Sequence, residues 1–176
     1  MEFLYLAAID VAKKMHRTQR RKYTNEPYIV HPFAVAGLVA SVSGDDDMII
    51  AALLHDVVED SPMEVKTIRG IFGVRIAQMV EDLTDVSRPA DGNRAKRRAI
   101  DREHSAKASP EAKTIKLADL IDNTKSICAF DPEFAKVYMP EKKALLEVLR
   151  DGGDPMLFSL ADNLVKKYFS AFQPLG

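Results

Sequence analysis

Residues 51–60 read AALLHDVVED, an apolar run that ends in a group of ionisable side chains. With the apolar residues just before it, this run predicts a helix over residues 48–60 that is buried on most of its faces and is stopped by Pro62. The ionisable side chains at its C-terminal end are His55, Asp56, Glu59 and Asp60. The acidic ones lie at the negative end of the helix dipole, which destabilises the helix unless a cation is close. A bound metal ion is the simplest such cation, and a solvated helix end is the alternative.

The rest of the chain also shows helical spacing of its apolar residues. The pattern predicts helices over 4–15, 33–42, 63–72, 74–83, 94–108 and 110–127, then two C-terminal helices separated by residues 151–155. No pair of strands, internal repeat or linker is apparent in the sequence. A length of 176 residues fits one compact domain with a single core. We therefore expect an all-α, single-domain helical bundle of about eight to ten helices.

The charged residues nearly cancel, with 25 Lys and Arg against 26 Asp and Glu. This balance argues against disorder and against a protein that mainly coats nucleic acid or an anionic membrane. Cys128 is the single cysteine and cannot form an internal disulfide, which fits a reducing compartment. The N-terminal apolar run is interrupted by Asp10 and lacks a signal-peptide pattern. We expect a soluble, cytoplasmic protein.

Two further residues with metal-binding side chains occur in apolar surroundings. His31 precedes Pro32 in a largely apolar stretch, and Asp119 lies inside an apolar predicted helix. A lone buried carboxylate is unfavourable unless it is paired or bound to a metal. The candidate metal ligands are therefore His31, His55, Asp56 and Asp119. Such a nitrogen and carboxylate set suits octahedral Mn²⁺ or Fe²⁺, or Zn²⁺, and the absence of cysteine ligands argues against a structural zinc site.

The order of these candidate ligands on an all-α chain resembles the HD-domain metal-dependent phosphohydrolases. The resemblance is closer to the hydrolase domain of RelA/SpoT-type proteins, and it covers roughly residues 1–140. It rests on His16, QRRK at 19–22, PYIVHP at 27–32, AALLHDVVED at 51–60 and KLAD at 116–119. These motifs are specific in combination. In length and in lacking a synthetase region, the chain is similar to the stand-alone small alarmone hydrolases.

This resemblance implies a single HD-type hydrolase domain over residues 1–176, in which the C-terminal helices from about residue 141 pack on the core or extend it. It implies that a metal-activated water hydrolyses the 3′-pyrophosphate of guanosine 3′,5′-bis(diphosphate)-type alarmones, releasing pyrophosphate and GDP or GTP. The implied cofactor is Mn²⁺, with Fe²⁺ or Zn²⁺ as alternatives. The expected partner is this small nucleotide, with no nucleic acid and no membrane, and the oligomeric state stays open.

The resemblance also implies roles for individual residues. The implied metal ligands are His31, His55, Asp56 and Asp119. The implied catalytic residues are Glu59 and Asp60. The implied substrate contacts are Arg21, Lys22, Tyr28, Lys96, Asn123 and Tyr138. Phe134 stands one helical turn before Tyr138, where the family has an arginine.

The basic residues of the chain gather in two clusters. The clusters are Arg17, Arg20, Arg21 and Lys22, and then Arg94, Lys96, Arg97, Arg98 and Arg102. Either cluster alone is consistent with an ordinary solvated face. Two clusters beside the implied substrate loops favour polyphosphate binding, because an arginine can grip a phosphate through two hydrogen bonds at once.

Other functions are compatible with part of this pattern. An HD phosphohydrolase could act on another nucleotide, such as an adenosine alarmone or NADPH. A non-catalytic nucleotide-binding protein could use the same pocket, but it has no need of the ligand set or of the Glu59–Asp60 pair. His16 is expected to pack against or cap the first helix. Asp122 fits either a contact with a metal ligand or a surface position.

Overall fold

The structure is a computed structural model, and it describes residues 2–171. Within this range the chain forms ten α-helices, one short 3₁₀ turn at Pro89–Asp91 and no β-strand. The helices are α1 (Glu2–Met15), α2 (Val30–Ala40), α3 (Asp46–Leu54), α4 (Val57–Asp60), α5 (Val65–Phe72), α6 (Val74–Leu83), α7 (Arg94–Ala106), α8 (Pro110–Phe130), α9 (Pro132–Leu149) and α10 (Pro155–Ala171). The all-α expectation is confirmed.

The central helix of the bundle is α8, because α2, α6, α9 and α10 all pack against it. Its buried side chains include Ile115, Leu117, Leu120 and Ile121. A helix that is apolar on most of its faces is stable only inside a core. The polar side chains that interrupt its middle, between residues 119 and 123, therefore need partners within the protein.

The helix expected over residues 48–60 is interrupted, so that expectation is wrong. α3 ends at Leu54, and α4 begins at Val57. The Nδ1–H group of His55 donates a 2.8 Å hydrogen bond to the carbonyl oxygen of Ala52, which is the oxygen that the backbone N–H of Asp56 would use in a continuous helix. His55 and Asp56 therefore lie at a junction between two helices, not on the face of one.

Most other helix ends follow the local sequence signals. Five helices begin after a side chain that accepts a backbone N–H bond, as N-cap residues do. These caps are Asp45, Asn93, Ser109, Asp131 and Asp154. Gly73 separates α5 from α6 with φ of 91°, a conformation that favours glycine. α2 begins at Val30, earlier than expected, with Pro32 inside its first turn.

The C-terminal helix closes the bundle, because α10 packs against α8 and α9. The turn before it is tied to α8 by two hydrogen bonds. Lys113 Nζ donates to the carbonyl oxygen of Asp151 at 2.9 Å, and the N–H of Asp154 donates to Thr114 Oγ1 at 2.9 Å. Among residues 2–171, no helix is both long enough and apolar enough to cross a membrane.

Candidate active site

The candidate metal ligands converge from three parts of the chain. His31 lies on α2, His55 and Asp56 lie at the α3–α4 junction, and Asp119 lies on α8. His55 Nε2 is 3.1 Å from Asp56 Oδ2 and 3.9 Å from Asp119 Oδ1. His31 Nε2 is 3.5 Å from the same Asp56 oxygen and 3.3 Å from the same Asp119 oxygen. Donor atoms this close together are compatible with coordination of one ion.

Both histidine rings turn Nε2 toward the carboxylates. His31 and His55 are 1% and 3% exposed. His31 Nδ1 lies 2.6 Å from Asp122 Oδ2, and His55 Nδ1 is held by the Ala52 carbonyl, so the outer nitrogen of each ring has an acceptor. The Nε2 atoms are buried without a hydrogen-bond partner. A divalent cation would satisfy both atoms, so this donor set fits a metal ion.

The electrostatics of the site favour ionised carboxylates around a positive charge. Burial opposes ionisation of Asp119, yet its pKa lies well below the usual range because His31 and Lys116 stabilise the carboxylate. The pKa of Asp56 is lowered against the effect of burial in the same way, chiefly by His55. Burial lowers the pKa of His31, but the neighbouring aspartates raise it to about 9. A positive charge between the carboxylates is therefore stabilised, and a bound cation supplies one.

Two residues that the resemblance assigns to the nucleotide hydrogen-bond the ligand carboxylates. Tyr28 Oη donates to Asp56 Oδ2 at 2.7 Å. Asn123 Nδ2 donates to Asp119 Oδ1 at 2.6 Å. Each bond fixes the orientation of a carboxylate ligand, as the outer partners of metal ligands do. Since Tyr28 and Asn123 also border the neighbouring cleft, they can contact a substrate as well.

A cleft of about 210 Å³ opens beside the ligands. Asp56 and Asp119 form part of its lining, so a molecule in the cleft would lie close to a bound cation. The basic side chains of the lining are Arg98, Arg102, Lys116 and Lys142. A cleft that combines a metal-ligand set with several cations suits a polyanionic ligand.

The family model described as HD domain matches residues 8–144 of the chain. The chain belongs to the HD-domain family. Membership in this family implies a divalent cation, and the unpartnered Nε2 atoms of His31 and His55 fit one.

Several relatives of known name share this domain. The probable guanosine-3′,5′-bis(diphosphate) 3′-pyrophosphohydrolase of Synechocystis sp. is 35% identical over 149 residues, which cover 83% of this chain and 20% of that protein. The human guanosine-3′,5′-bis(diphosphate) 3′-pyrophosphohydrolase MESH1 is 36% identical over 131 residues, 73% of this chain and 72% of that protein. The chain therefore spans a fifth of the cyanobacterial relative and most of the human one.

A solved structure has the same fold. It is that of a metazoan ortholog of SpoT that is described as hydrolysing ppGpp. The two structures align with a TM-score of 0.84 at 28% sequence identity, over 94% of this chain and 95% of the other. The alignment extends beyond the matched HD domain and includes the C-terminal helices.

Two of the cations that line the HD-domain cleft are held by protein partners. Arg98 Nη1 donates to Asp85 Oδ2 at 2.6 Å. Lys116 Nζ donates to the carbonyl oxygen of Leu83 at 3.1 Å and lies 4.0 Å from Asp119 Oδ2. These contacts fix both side chains at the edge of the metal-ligand set and leave part of their charge facing the cleft.

The other two cleft cations, Arg102 and Lys142, make no ion pair with any residue in the range 2–171. Lys142 Nζ lies 4.8 Å from the centre of the Tyr138 ring, and burial lowers the pKa of this lysine. A partly buried cation without an acidic partner is unfavourable unless an anion binds next to it. These two side chains are therefore the best placed to receive a phosphate.

The structure separates the Glu59–Asp60 pair. Glu59 lines the cleft, and its Oε1 accepts a 2.6 Å hydrogen bond from the backbone N–H of Asp85. Burial, followed by the charges of Asp85 and Asp56, raises the pKa of Glu59 to about 7 against the opposing effect of a nearby lysine. Asp60 does not line the cleft and instead accepts a 2.9 Å hydrogen bond from Gln19 Nε2. Of the two residues, only Glu59 lines this cleft.

Four of the implied substrate residues lie outside the cleft lining. Arg21 turns toward α8, where it donates to the side chain of Asn123 at 3.0 Å. Lys22 is exposed and lies 3.0 Å from Asp131. Lys96 is exposed in the first turn of α7. Tyr138, the last of the set, is buried beneath Lys142.

An arginine side chain does lie beside Phe134, although it comes from a different helix. The guanidinium carbon of Arg94, on α7, is 5.3 Å from the centre of the Phe134 ring. The same guanidinium forms two hydrogen bonds with Glu141, of 2.7 and 2.8 Å. Arg94 therefore lies beside the position where the resemblance places an arginine, and its charge is paired with Glu141.

Sequence reasoning missed Lys142 and left two alternatives open for Asp122. Both have a signal in helical spacing: Lys142 lies one turn after Tyr138, and Asp122 lies one turn after Asp119. Residues at these spacings share a helix face. When one member of such a pair borders the site, the other therefore lies close to the site as well. The Asp122 alternative is decided in favour of contact with a metal ligand, His31.

Proposed function

We propose that this chain is a divalent-metal-dependent 3′-pyrophosphohydrolase of guanosine 3′,5′-bis(diphosphate) and its pentaphosphate relative. The observation that carries this proposal is the cleft, where metal ligands adjoin the unpaired cations Arg102 and Lys142. A substrate with several phosphates meets both features at once. The names of the cyanobacterial and human relatives support guanosine as the nucleoside.

Mn²⁺ is the cation that we propose for the site. Two imidazole nitrogens and two carboxylates without a thiolate form a donor set that suits Mn²⁺, with Fe²⁺ or Zn²⁺ as alternatives. The residues that would hold it are His31, His55, Asp56 and Asp119. When bound, a divalent cation lowers the pKa of water and draws charge from a phosphoryl oxygen.

The reaction transfers the 3′ pyrophosphoryl group from the ribose 3′ oxygen to the oxygen of water, through attack on the phosphorus that is bonded to the ribose. A bond forms between the water oxygen and that phosphorus, and the bond from the phosphorus to the 3′ oxygen breaks. Water loses one proton and the 3′ oxygen gains one, so the products are pyrophosphate and GDP, or GTP from the pentaphosphate. The protein must therefore supply a base, an acid and positive charge for the departing pyrophosphate.

Glu59 is the residue that we propose for the proton transfers. Its Oε1 is held by the N–H of Asp85, which orients the carboxyl group and leaves Oε2 for a water molecule. A pKa of about 7 lets this carboxyl accept a proton near neutral pH. The protonated form can then give the proton to the 3′ oxygen, so one group serves both transfers.

Arg102 and Lys142 are the residues that we propose for the departing pyrophosphate. Neither is neutralised by a carboxylate within residues 2–171, so their charges are available to phosphate oxygens. Lys116, held by Leu83, adds positive charge next to Asp119. Cations fixed in a partly buried cleft stabilise developing negative charge more strongly than solvent does.

The direct test is a product analysis. Purified protein is incubated with Mn²⁺ and, separately, with guanosine 3′,5′-bis(diphosphate), the pentaphosphate, the matching adenosine nucleotide and NADPH, and products are resolved by anion-exchange chromatography. We expect pyrophosphate and GDP from the first substrate. His55→Ala and Glu59→Ala should abolish release, whereas Glu133→Ala, at an exposed acidic residue paired only with Lys136, should not.

The outcomes discriminate among functions. Metal-loaded protein that releases no pyrophosphate from any bis(diphosphate) nucleotide would overturn the proposal. Release of pyrophosphate from the adenosine nucleotide alone would identify adenosine alarmones as the substrate class. Phosphate released from NADPH alone would identify a different phosphohydrolase that uses the same metal site.

A further inference from the structure

Arg21 is a buried arginine in the loop between α1 and α2, and the loop holds its backbone firmly. Its N–H donates to the carbonyl oxygen of Glu26 at 2.9 Å, and its own carbonyl oxygen accepts from the N–H of Asn25 at 3.0 Å. An isolated β-bridge joins the neighbouring Arg20 to Pro27. The Arg21 side chain is only 14% exposed. This arrangement directs the guanidinium at α8.

The guanidinium contacts one face of α8 through three hydrogen bonds. Nη1 donates to Asn123 Oδ1 at 3.0 Å. Nη2 donates to Asp122 Oδ2 at 3.2 Å and to Ser126 Oγ at 3.3 Å. A planar guanidinium can serve such a set of acceptors at once, whereas an ammonium group cannot reach the same fork of directions.

Two of these partners contact metal ligands on different helices. Asn123 Nδ2 donates to Asp119 Oδ1 at 2.6 Å. The Asp122 oxygen that accepts from Arg21 also lies 2.6 Å from His31 Nδ1. The Arg21 guanidinium is therefore connected to two metal ligands through one intervening side chain each. Asn123 connects it to the carboxylate on α8, and Asp122 connects it to the imidazole on α2.

We propose that Arg21 is a positioning residue that sets the orientation of Asp119 and His31 for the divalent cation, an inference that rests on the metal site of the proposed function. Because Arg21 binds Asn123 Oδ1, the amide must turn Nδ2 toward Asp119. Without Arg21, Asn123 keeps only its bond to Asp119, so its side chain loses the second contact that fixes its position. Asp122 would likewise lose the donor that holds its oxygen beside His31.

Arg21 reaches the metal ligands without entering the cleft beside them. It is absent from the lining of that cleft and borders a different depression together with Thr24 and Phe130. The guanidinium therefore acts on the ligands through Asn123 and Asp122.

The test measures Mn²⁺ binding in the absence of any nucleotide. Protein freed of metal with EDTA and desalted is titrated with Mn²⁺ by calorimetry. We expect Arg21→Gln to weaken Mn²⁺ affinity by up to about 10-fold, the lower end of the effect of removing a direct partner of a metal ligand, because Arg21 acts on each ligand through one intervening residue. Arg21→Lys keeps the charge without the fork and should fall between this variant and wild type. Arg69→Gln, at a half-exposed arginine of α5, should bind Mn²⁺ as wild type does.

Wild-type Mn²⁺ affinity in folded Arg21→Gln would overturn the inference. If Arg21→Gln does not fold, a double-mutant cycle of Arg21→Lys with Asp122→Asn replaces it. The two changes should then be non-additive in Mn²⁺ affinity because they act through one contact, and additivity would overturn the inference. Since no nucleotide is present, these results are independent of whether the chain hydrolyses an alarmone.

Discussion

The hydroxyl group of Tyr28 donates a 2.7 Å hydrogen bond to Oδ2 of Asp56, the oxygen that also lies 3.1 Å from His55 Nε2. The bond holds this carboxylate in the direction of the histidines. The Tyr28 ring is supported in turn by the His16 ring, with centroids 4.9 Å apart. A residue of the cleft lining therefore also orients a metal ligand.

Tyr28→Phe keeps the ring and removes only this hydrogen bond. We expect a roughly tenfold weaker affinity for Mn²⁺, since a hydrogen bond to a charged group contributes about 1.5 kcal/mol or more. Calorimetric titration of metal-free protein measures the change. Tyr23→Phe is the matched control, because its hydroxyl donates to Asp131, away from the metal ligands. Unchanged Mn²⁺ affinity with a raised KM would mean that Tyr28 serves the nucleotide alone.

Lys142→Met should lower kcat/KM for the alarmone by about 10- to 100-fold, the value of one charge-assisted phosphate contact. Mn²⁺ affinity should change little, because Lys142 forms no direct ion pair with Asp119 and acts on this ligand only through a longer-range Coulombic interaction. Steady-state kinetics with Lys96→Met in parallel show which of two lysines contacts the phosphate, Lys142 in the cleft or Lys96, which is exposed on α7. A larger loss for Lys96→Met would contradict the cleft as the phosphate site.

The parts of this molecule that sequence could predict are those set by local chemistry. Ser109 and Asp131 cap helices with their own side chains, so their roles are visible within a few residues. The outward turn of Asp60 was not predicted. Consecutive residues on a helix point about 100° apart, and only the packing of α4 decides which of the two acids faces the cleft. The contact of Arg21 with α8 spans about a hundred residues of sequence, so no local pattern could reveal it.

Removing the metal should lower the melting temperature of the protein. At a Mn²⁺ concentration one hundred times Kd, binding stabilises the folded state by about 2.7 kcal/mol, which corresponds to roughly 5–11 °C for a domain of this size. Thermal denaturation with EDTA and with Mn²⁺ measures the difference. Asp119→Ala should abolish the Mn²⁺-dependent shift. An equal shift in this variant would show that Mn²⁺ binds elsewhere.

Glu59 should determine the pH dependence of the reaction. Its pKa is raised to about 7 by burial in the cleft, and only the ionised form accepts a proton, so kcat/KM should rise with pH until this carboxyl is ionised. A bound cation favours the carboxylate, so at saturating Mn²⁺ the inflection should lie below its position in a ¹³C NMR titration of the metal-free protein. Glu59→Gln should lose the pH-dependent limb and about 10²- to 10⁴-fold in kcat.

The raised pKa of Glu59 also affects the stability of the fold. Stability should fall as the pH rises, whereas kcat/KM should increase. A carboxyl that is harder to ionise in the folded protein than in the unfolded chain stabilises the fold at low pH, and this contribution is lost as the pH rises through the pKa of the unfolded chain toward 7. Glu59 keeps a solvent-exposed face, so screening by water keeps the effect small. In urea denaturation without metal, the wild type should therefore lose stability relative to Glu59→Gln between about pH 4.5 and pH 7. A constant difference across this range would mean that Glu59 ionises as freely in the folded protein as in the unfolded chain, and it would remove the basis for its role as a base tuned to neutral pH.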